Sequence, residues 1–560
     1  MSTFPWIASY PEGIPAEIEE HRPESLLEIY NKAFQRFADR EAFENMGKVM
    51  TFADVDRLST AFAAYLQNTL EMEQGDRIAI QMPNCLQYPI ALVGAQKAGL
   101  IVVNTNPLYT PREMEHQFND AQVKAVVIMA NFAHSLQEVL HKTSIKHVIV
   151  TELGDMLGGL KGKLVNFVVK KVKKMVPPYN LPNAIKFKST LAHGARLAYS
   201  KPEIKSSDTV YLQYTGGTTG VSKGATLSHA NVVAHTIQVN YWFSTLLEVG
   251  KTETMITAIP MYHIFALNVN FTFMLHIGAK NVLITNPRDM PGFVKELKKH
   301  PFTLMTGVNT LFNGLLSQED FKDIDFSSLK GSMGGGMAVQ DFVARKWEEV
   351  TSSPLVEGYG LSETSPVLST NPLDGTHKMG TIGLPVPSTE MAIMDDDGNA
   401  VAQGEVGEIC ARGPQVMSGY WGRDNSTVFH DGGWFRTGDI GVMDEEGFFK
   451  IVDRKKDMIN VSGFNVFPNE VENVIADHPK VNEVAVIGIP DAKSTECVKA
   501  FVVKADESLT EEELKEYCKH ELTNYKRPKF VDFRAELPKT NVGKILRRTL
   551  KEEEEAKAKA

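Results

Sequence analysis

The sequence predicts an α/β protein in three parts: a large N-terminal domain of parallel sheets built from βαβ units, a small β-rich subdomain, and a small α+β C-terminal domain. Three observations lead there. Between about residues 25 and 204, short apolar runs alternate with helical patterns, the signature of crossover units and a parallel sheet. From Met391 the pattern changes to short strands separated by the turns Asp397-Gly398, Gly404-Glu405 and Asp431-Gly432. A charge-rich stretch, Asp453-Arg454-Lys455-Lys456-Asp457, then separates off a last hundred residues that read β-α-β-β-α. The boundaries drawn from these changes are 1–455 for the large domain, about 385–452 for its β-rich part, and 456–560 for the small domain.

The strands of the first part are Arg77 to Gln81, Ile101 to Asn104, Ala125 to Met129 and His147 to Thr151. Thr110-Pro111-Arg112-Glu113 carries a hydroxyl N-cap, proline at the first helical position and glutamate at the third, a capping box that starts a helix. Residues 160–176 hold six lysines and no acid. On a helix, Leu164, Val165, Val168, Val169, Val172, Met175 and Val176 share one face and Lys163, Lys170, Lys173 and Lys174 lie opposite. Two readings stand: a surface helix packed on its own domain, or a reversible, salt-sensitive contact with an anionic membrane. Further on, Phe302 to Thr306 reads as a strand, as do Val484 to Ile489 and Val498 to Lys504, with a helix from Glu511 to Thr523 and a frayed low-complexity tail from Lys551.

A chain of 560 residues exceeds one ordinary core, and 43% hydrophobic with 23% charged residues is the composition of a folded protein. A formal charge of -10 and the lack of any nucleic-acid-binding pattern argue against RNA or DNA as a partner. Cys85, Cys410, Cys497 and Cys518 are far apart, with no metal-ligand spacing, and read as reduced thiols. The N-terminus has no basic-plus-apolar leader and no run reaches the length of a spanning helix, so the expected location is the cytoplasm, with attachment to the inner face of the membrane as the sharper reading of 160–176. Oligomeric state is left open, a homodimer included.

The chemistry concentrates in Tyr214 to Gly224, Tyr-Thr-Gly-Gly-Thr-Thr-Gly-Val-Ser-Lys-Gly, which follows the β-like Thr209 to Leu212 and precedes a helix start at Ser228. Glycines let backbone N–H groups face an anion, hydroxyls add donors and Lys223 adds charge, the composition of a phosphate-binding strand-to-helix connection. It is not the usual hydrolase loop, because Lys223 follows serine and precedes glycine. A glycine triple, Gly334 to Gly336, allows close approach to the backbone. In Glu357-Gly358-Tyr359-Gly360-Leu361-Ser362-Glu363-Thr364, Tyr359 offers a ring face for a flat base and Glu363 a ligand for Mg²⁺. Asp439, in Thr437-Gly438-Asp439, suits ribose hydroxyls and Arg454 suits phosphate. Lys544 follows Gly543 in a loop near the C-terminus.

The loop, the GYGLSET-like turn, the Thr-Gly-Asp, the Asp-Arg-Lys-Lys junction and Lys544, in this order and spacing, resemble the adenylate-forming synthetases, the superfamily of acyl-CoA synthetases, firefly luciferase and peptide-synthetase adenylation domains. The resemblance covers nearly the whole chain and is strongest to the bacterial long-chain fatty acid CoA ligases. Gly433 to Lys456 resembles the fatty acyl-CoA synthetase motif GWLHTGDIGxWxPxGxLKIIDRKK, from which it departs at Phe435, Arg436, Met443, Glu445, Phe449 and Val452.

The resemblance implies ATP-dependent activation of a fatty acid through an acyl-adenylate, with release of pyrophosphate and then AMP as CoA takes the acyl group. It implies Mg²⁺, ATP and CoA at the site. Thr215, Gly216, Gly217, Thr218, Thr219, Gly220 and Lys223 would hold the phosphates, and Gly335, Tyr359, Gly360, Thr364, Asp439 and Arg454 the rest of the nucleotide. Catalytic work falls to Lys544, Glu363, Thr215 and His263, with Glu363 on the metal and His263 near the acyl channel. The small domain would be mobile about a hinge at Lys456, bringing Ser462, Gly463 and Phe464 to the CoA thiol. The alternatives are a ligase for medium-chain or aromatic acids, or an enzyme that loads a carrier protein. A non-catalytic ATP sensor fits poorly with Lys223, Glu363, Asp439 and Lys544 together.

Overall fold

The computed structural model describes residues 4–19, 22–215, 222–462, 464–491, 494–540 and 543–559. Two sheets form the large part of the chain. One has seven strands in the order Ile185–Lys186, His147–Thr151, Ala125–Met129, Arg77–Gln81, Ile101–Asn104, Thr209–Thr215 and Lys223–Ser228. All its neighbours are parallel except the last pair. The four strands expected from the apolar runs have the expected bounds. Ala125–Met129 is buried at every position, as a strand covered on both faces must be. The Thr110 capping box also forms: its hydroxyl accepts from Glu113 N–H at 3.3 Å and the Glu113 carboxylate accepts from Thr110 N–H at 2.8 Å.

The second sheet has nine strands, ordered Leu384–Pro385, Val367–Thr370, Leu355–Gly360, Gly331–Gly334, Leu304–Gly307, Thr254–Thr257, Lys280–Leu283, Glu41–Asn45 and Lys48–Thr51. It is parallel in the middle and antiparallel at both edges. The Phe302 to Thr306 expectation shifts to Leu304–Gly307, because Phe302 is buried in the core just ahead of the ladder. Five short strands between Glu390 and Arg454 make the β-rich sheet. The N-terminal segment straps across it: Trp6 is buried and packs edge-on against Phe449, and Ser9 Oγ donates to Glu446 O. All four cysteines are buried and free.

Two expectations change here. The glycine-rich loop joins two strands: Thr209–Thr215 and Lys223–Ser228 pair antiparallel, Thr215 opposite Lys223, and the His229–Phe243 helix begins only after the second, capped by Ser228. The run between Lys223 and Ser228 carries no strong apolar alternation, so pairing rather than local propensity makes it a strand. Residues 160–176 do not pack one apolar face inward. The Gly159–Phe167 helix widens into π-type turns over Val168–Val172, which rotates the later side chains off the predicted face. Leu160, Leu164 and Phe167, ahead of those turns, are exposed, as are Val172 and Met175. Among the described residues no helix is long and apolar enough to cross a membrane.

The C-terminal part is richer than read. A hairpin of Ile459–Val461 and Phe464–Val466 precedes a Pro468–Ala476 helix, the long pair Val481–Asp491 and Thr495–Lys504, the Glu511–Glu521 helix, and a further strand Phe530–Arg534 parallel to Thr495–Lys504. The tail is not frayed. Arg547–Lys559 is a helix that buries Leu550 completely and pairs Glu554 with Lys499 at 2.7 Å and Glu553 with Arg534 at 3.0 Å. Those partners come from the sheet, which a reading of local composition does not see. Leu550→Ala should destabilise this part by about 2–5 kcal/mol, the usual cost of deleting a buried leucine side chain, as measured by denaturant unfolding; a change under about 0.5 kcal/mol would mean the helix is only loosely docked.

Candidate functional site

The motif residues converge because they sit at the carboxyl ends of parallel strands. Thr215 ends one strand, Gly334 another and Gly360 a third, the edge at which open α/β sheets gather ligands. At Gly360 a Cβ would lie 1.9 Å from the Pro366 carbonyl oxygen, so the strand can turn there only with glycine. Glu357 and Tyr359 alternate with glycines and so share one strand face, which lines a cleft of about 460 Å³ between the nine-stranded sheet, the β-rich sheet and the C-terminal part.

Tyr359 is buried, and its hydroxyl donates to Asp439 Oδ2 at 2.7 Å. Asp439 stands directly opposite Arg454 across an antiparallel pair, with Arg454 Nε 3.5 Å from Asp439 Oδ1. Cross-strand register therefore delivers the acid and the base together. Lys544 enters the same cleft from a closed turn in which its N–H donates to Thr540 Oγ1 at 3.1 Å and its carbonyl accepts from Thr540 N–H at 2.7 Å. Burial first, and then Arg454, pull the Lys544 ammonium down to about 7, with Asp439 pulling the other way. Lys456 is brought down to about 8, by burial and again by Arg454. Half-buried His263 is held near 4 by its desolvation, with Lys544 adding to the effect. Arg454, Lys456 and Lys544 thus share a poorly hydrated part of the cleft around Asp439, an arrangement that favours an anionic ligand beside them.

A second cluster surrounds Glu363, which lies in the short turn Ser362–Thr364 and is buried. Tyr420 donates its hydroxyl to Glu363 Oε1 at 2.6 Å, and Lys223 Nζ lies 5.3 Å from the centre of the Tyr420 ring. Burial raises the Glu363 carboxyl pKa, with Tyr420 opposing. The stem of the glycine loop is clamped beside this cluster: Tyr214 OH donates to Asp120 Oδ2 at 2.6 Å, and His116 Nε2 lies 2.8 Å from Ser222 O. Gly216, Gly217, Thr218, Thr219 and Gly220 fall outside the described residues, as does Gly463. The described group of three side chains spaced to share a metal is Glu44, Glu296 and His300, where Lys280 already stands 2.6 Å from Glu44. Among the described residues Glu363 belongs to no such group. A hard cation there would draw its remaining oxygens from phosphate and water, as Mg²⁺ commonly does.

Other expected residues are placed differently. Gly335 lies against Phe265 and the Gly358 carbonyl, closing the wall near the cleft. Thr364 is enclosed, its hydroxyl bonded to the Leu361 and Pro366 carbonyls, so it shapes the turn and has no donor left for a ligand. Ser462 turns the chain at φ 53° and Phe464 is exposed, stacked 4.8 Å from Tyr525, away from the cleft lining.

Two site residues escaped the sequence reading. Tyr420 had no motif of its own; its proximity to Glu363 comes from the Ala225–Tyr420 bridge that ties its segment to the hairpin. Glu357 had a usable signal, since it shares the Tyr359 face by strand alternation. Burial pushes its carboxyl up to about 8, against the Val339 N–H donated to Oε2 at 3.2 Å, and nearby Asp341 adds to the rise. The raised value favours the protonated carboxyl near pH 7, the form that can donate a hydrogen bond into the cleft.

A family model described as AMP-binding enzyme matches residues 30–421, and one described as AMP-binding enzyme C-terminal domain matches residues 470–544. The long-chain-fatty-acid–CoA ligase of Escherichia coli O157:H7 is 56% identical over 553 residues, covering 99% of this chain and 98% of that one. A mitochondrial medium-chain acyl-CoA ligase of Rattus norvegicus is 30% identical over 572 residues, covering 97% and 91%. Among solved structures, an anthranilate CoA ligase in complex with anthranoyl-AMP superposes with a TM-score of 0.85 at 23% identity, covering 98% of this chain and 99% of that one, a likeness of fold.

Glu357→Gln, which keeps a neutral donor, should leave the apparent affinity for the cleft's nucleotide within about twofold, whereas Glu357→Ala should weaken it roughly three- to tenfold by removing one hydrogen bond. Equal losses in a nucleotide titration would show that shape, not the proton, matters.

Proposed function

The chain belongs to the AMP-binding enzyme family, and from that premise we propose that it activates long-chain fatty acids to their CoA thioesters through an acyl-adenylate. The observation that carries this is the gathering of Lys544, Arg454, Asp439 and Tyr359 in one cleft at the strand ends. The long-chain preference is favoured over a medium-chain or aromatic one by the similarity to long-chain ligases, 56% against 30% for the medium-chain ligase. A carrier-protein loader is not favoured for the same reason.

In the first half-reaction a fatty acid carboxylate oxygen bonds to the α-phosphorus of ATP and pyrophosphate leaves. In the second, the CoA thiol, losing its proton, bonds to the acyl carbon and AMP leaves. The first step must bring two anions into contact, so its barrier is lowered by positive charge placed in advance. Lys544 supplies that charge between carboxylate and α-phosphate. Lys223 and the glycine loop hold the outer phosphates, with Thr215 at the loop's start. Tyr359 lies against the adenine, with Gly335 and Gly360 allowing its close approach and Thr364 shaping the turn. Asp439 takes the ribose hydroxyls beside Arg454. Glu363 would hold Mg²⁺, which would add charge at the phosphates, and Tyr420 orients that carboxylate. His263, neutral at working pH, borders the acyl end.

The C-terminal part moves about Lys456 between the half-reactions, carrying Lys544 out and Ser462, Gly463 and Phe464 toward the CoA thiol. Residues 160–176 make reversible contact with the anionic inner face of the membrane. Support comes from the exposure of Leu160, Leu164, Phe167, Val172 and Met175 beside Lys163, Lys170, Lys171, Lys173 and Lys174 in an otherwise acidic protein. The protein otherwise resides in the cytoplasm.

Pyrophosphate release from Mg·ATP, measured across fatty acids of increasing length and aromatic acids with and without CoA, tests the activity. Release that peaks with long chains and turns over only with CoA is expected; release without a CoA thioester would point to a carrier-protein loader. Because Lys544 must be charged and stands near 7 in the free protein, kcat/KM for adenylate formation should fall as pH rises through about 7. Bound anions raise the lysine pKa, so the matching limb in kcat should lie higher. A kcat/KM profile flat from pH 6 to about 8 would exclude this role. Replacing Lys170, Lys171, Lys173 and Lys174 by Gln should weaken binding to phosphatidylserine vesicles at least tenfold, given about 1 kcal/mol per lysine near an anionic surface; unchanged binding in a sedimentation assay would return the stretch to ordinary surface.

A further inference from the structure

We propose that Thr310 is a positioning residue for Lys544, holding the lysine loop for adenylate formation and taking no part in thioester formation. The inference rests on the reading of Lys544 given above. Thr310 Oγ1 donates to the carbonyl oxygen of Gly543, the residue just before Lys544, at 2.9 Å. That bond joins the large domain to the C-terminal part at the lysine loop itself. Its neighbours across the same boundary, Asn313 Nδ2 to Asn482 at 3.4 and 3.5 Å, are long and weak by comparison.

Both sides of the bond are fixed. Thr310 lies in the first turn of the Asn309–Leu316 helix, and Asn309 is paired twice with Gln340: Gln340 N–H donates to Asn309 Oδ1 at 3.0 Å, and Asn309 Nδ2 donates to Gln340 Oε1 at 3.0 Å. Gln340 follows Val339, whose N–H holds Glu357, so the helix terminus is anchored to the wall of the nucleotide cleft. On the other side, Gly543 has φ +82° and fits against Thr310 and Val308 with no room for a side chain, since a Cβ would lie 2.6 Å from Thr310 Oγ1 and 3.1 Å from Val308 Cγ2. The Thr540–Lys544 turn then passes the position of the Gly543 carbonyl directly to the lysine.

A contact made in one arrangement of the two parts and not the other can stabilise only the step that uses that arrangement. Three variants, Thr310→Val, Thr310→Ser and Lys544→Ala, are each assayed for adenylate formation and for thioester formation from preformed acyl-adenylate and CoA. Thr310→Val should slow adenylate formation roughly three- to tenfold, the worth of one hydrogen bond, and leave thioester formation within about twofold. Thr310→Ser, which keeps the hydroxyl, should restore the first rate. The retained second half-reaction reports that each variant is folded. If Lys544→Ala loses both half-reactions equally, the reading of the lysine falls. If Lys544→Ala is selective while Thr310→Val slows neither or both, or Thr310→Ser fails to rescue, the role of Thr310 is overturned.

Discussion

Asp439 accepts the Tyr359 hydroxyl while facing Arg454 across a strand pair, and through this one carboxylate three parts of the chain meet. Tyr359 ends a strand of the nine-stranded sheet, Asp439 and Arg454 belong to the β-rich sheet, and Lys544 comes from the C-terminal part. A buried carboxylate must be satisfied, and here the partners that satisfy it are also the groups that define the cleft. Shifting the Trp434–Met443 and Phe449–Arg454 pairing by one residue would separate Asp439 from Arg454 and turn one of them away from Tyr359.

The electrostatics follow from that shared burial. Arg454 lowers both Lys544 and Lys456, so the free cleft holds its cations under mutual repulsion and weak hydration. A triphosphate relieves both penalties at once. Glu357 nearby, whose protonated form is favoured, is a complementary solution, because a carboxyl kept protonated can donate to a base without adding an opposing charge. Around Glu363 the logic differs: one carboxylate, oriented by Tyr420, is suited to a cation that arrives already coordinated by phosphate.

The surface shows a contrasting use of charge. The chain carries a formal charge of -10, yet residues 160–176 concentrate lysines beside exposed apolar side chains. The exposed side chains lie on both sides of a change of helical pitch within the segment. Phe167 and Val172 are exposed, while Val165 and Val176 pack on the domain and hold the segment against it.

Local pattern alone determined a good deal of this protein: four strands of the first sheet to the residue, the Thr110 cap, the change to short strands after Met391, and the family resemblance carried by Lys223, Tyr359, Glu363, Asp439 and Lys544. These are legible because burial on both faces demands apolar runs, and because phosphate, base and ribose each demand particular side chains at short spacing. Only the tertiary structure decided that the glycine loop closes a hairpin, that the C-terminal tail is an anchored helix, that Glu357 favours its protonated form, and that Tyr420 and Thr310 stand beside Glu363 and Gly543. Each of these depends on a partner far away in the chain. Burial, pKa and cross-domain hydrogen bonds are set by what packs around a residue, and nothing in its immediate neighbours encodes that.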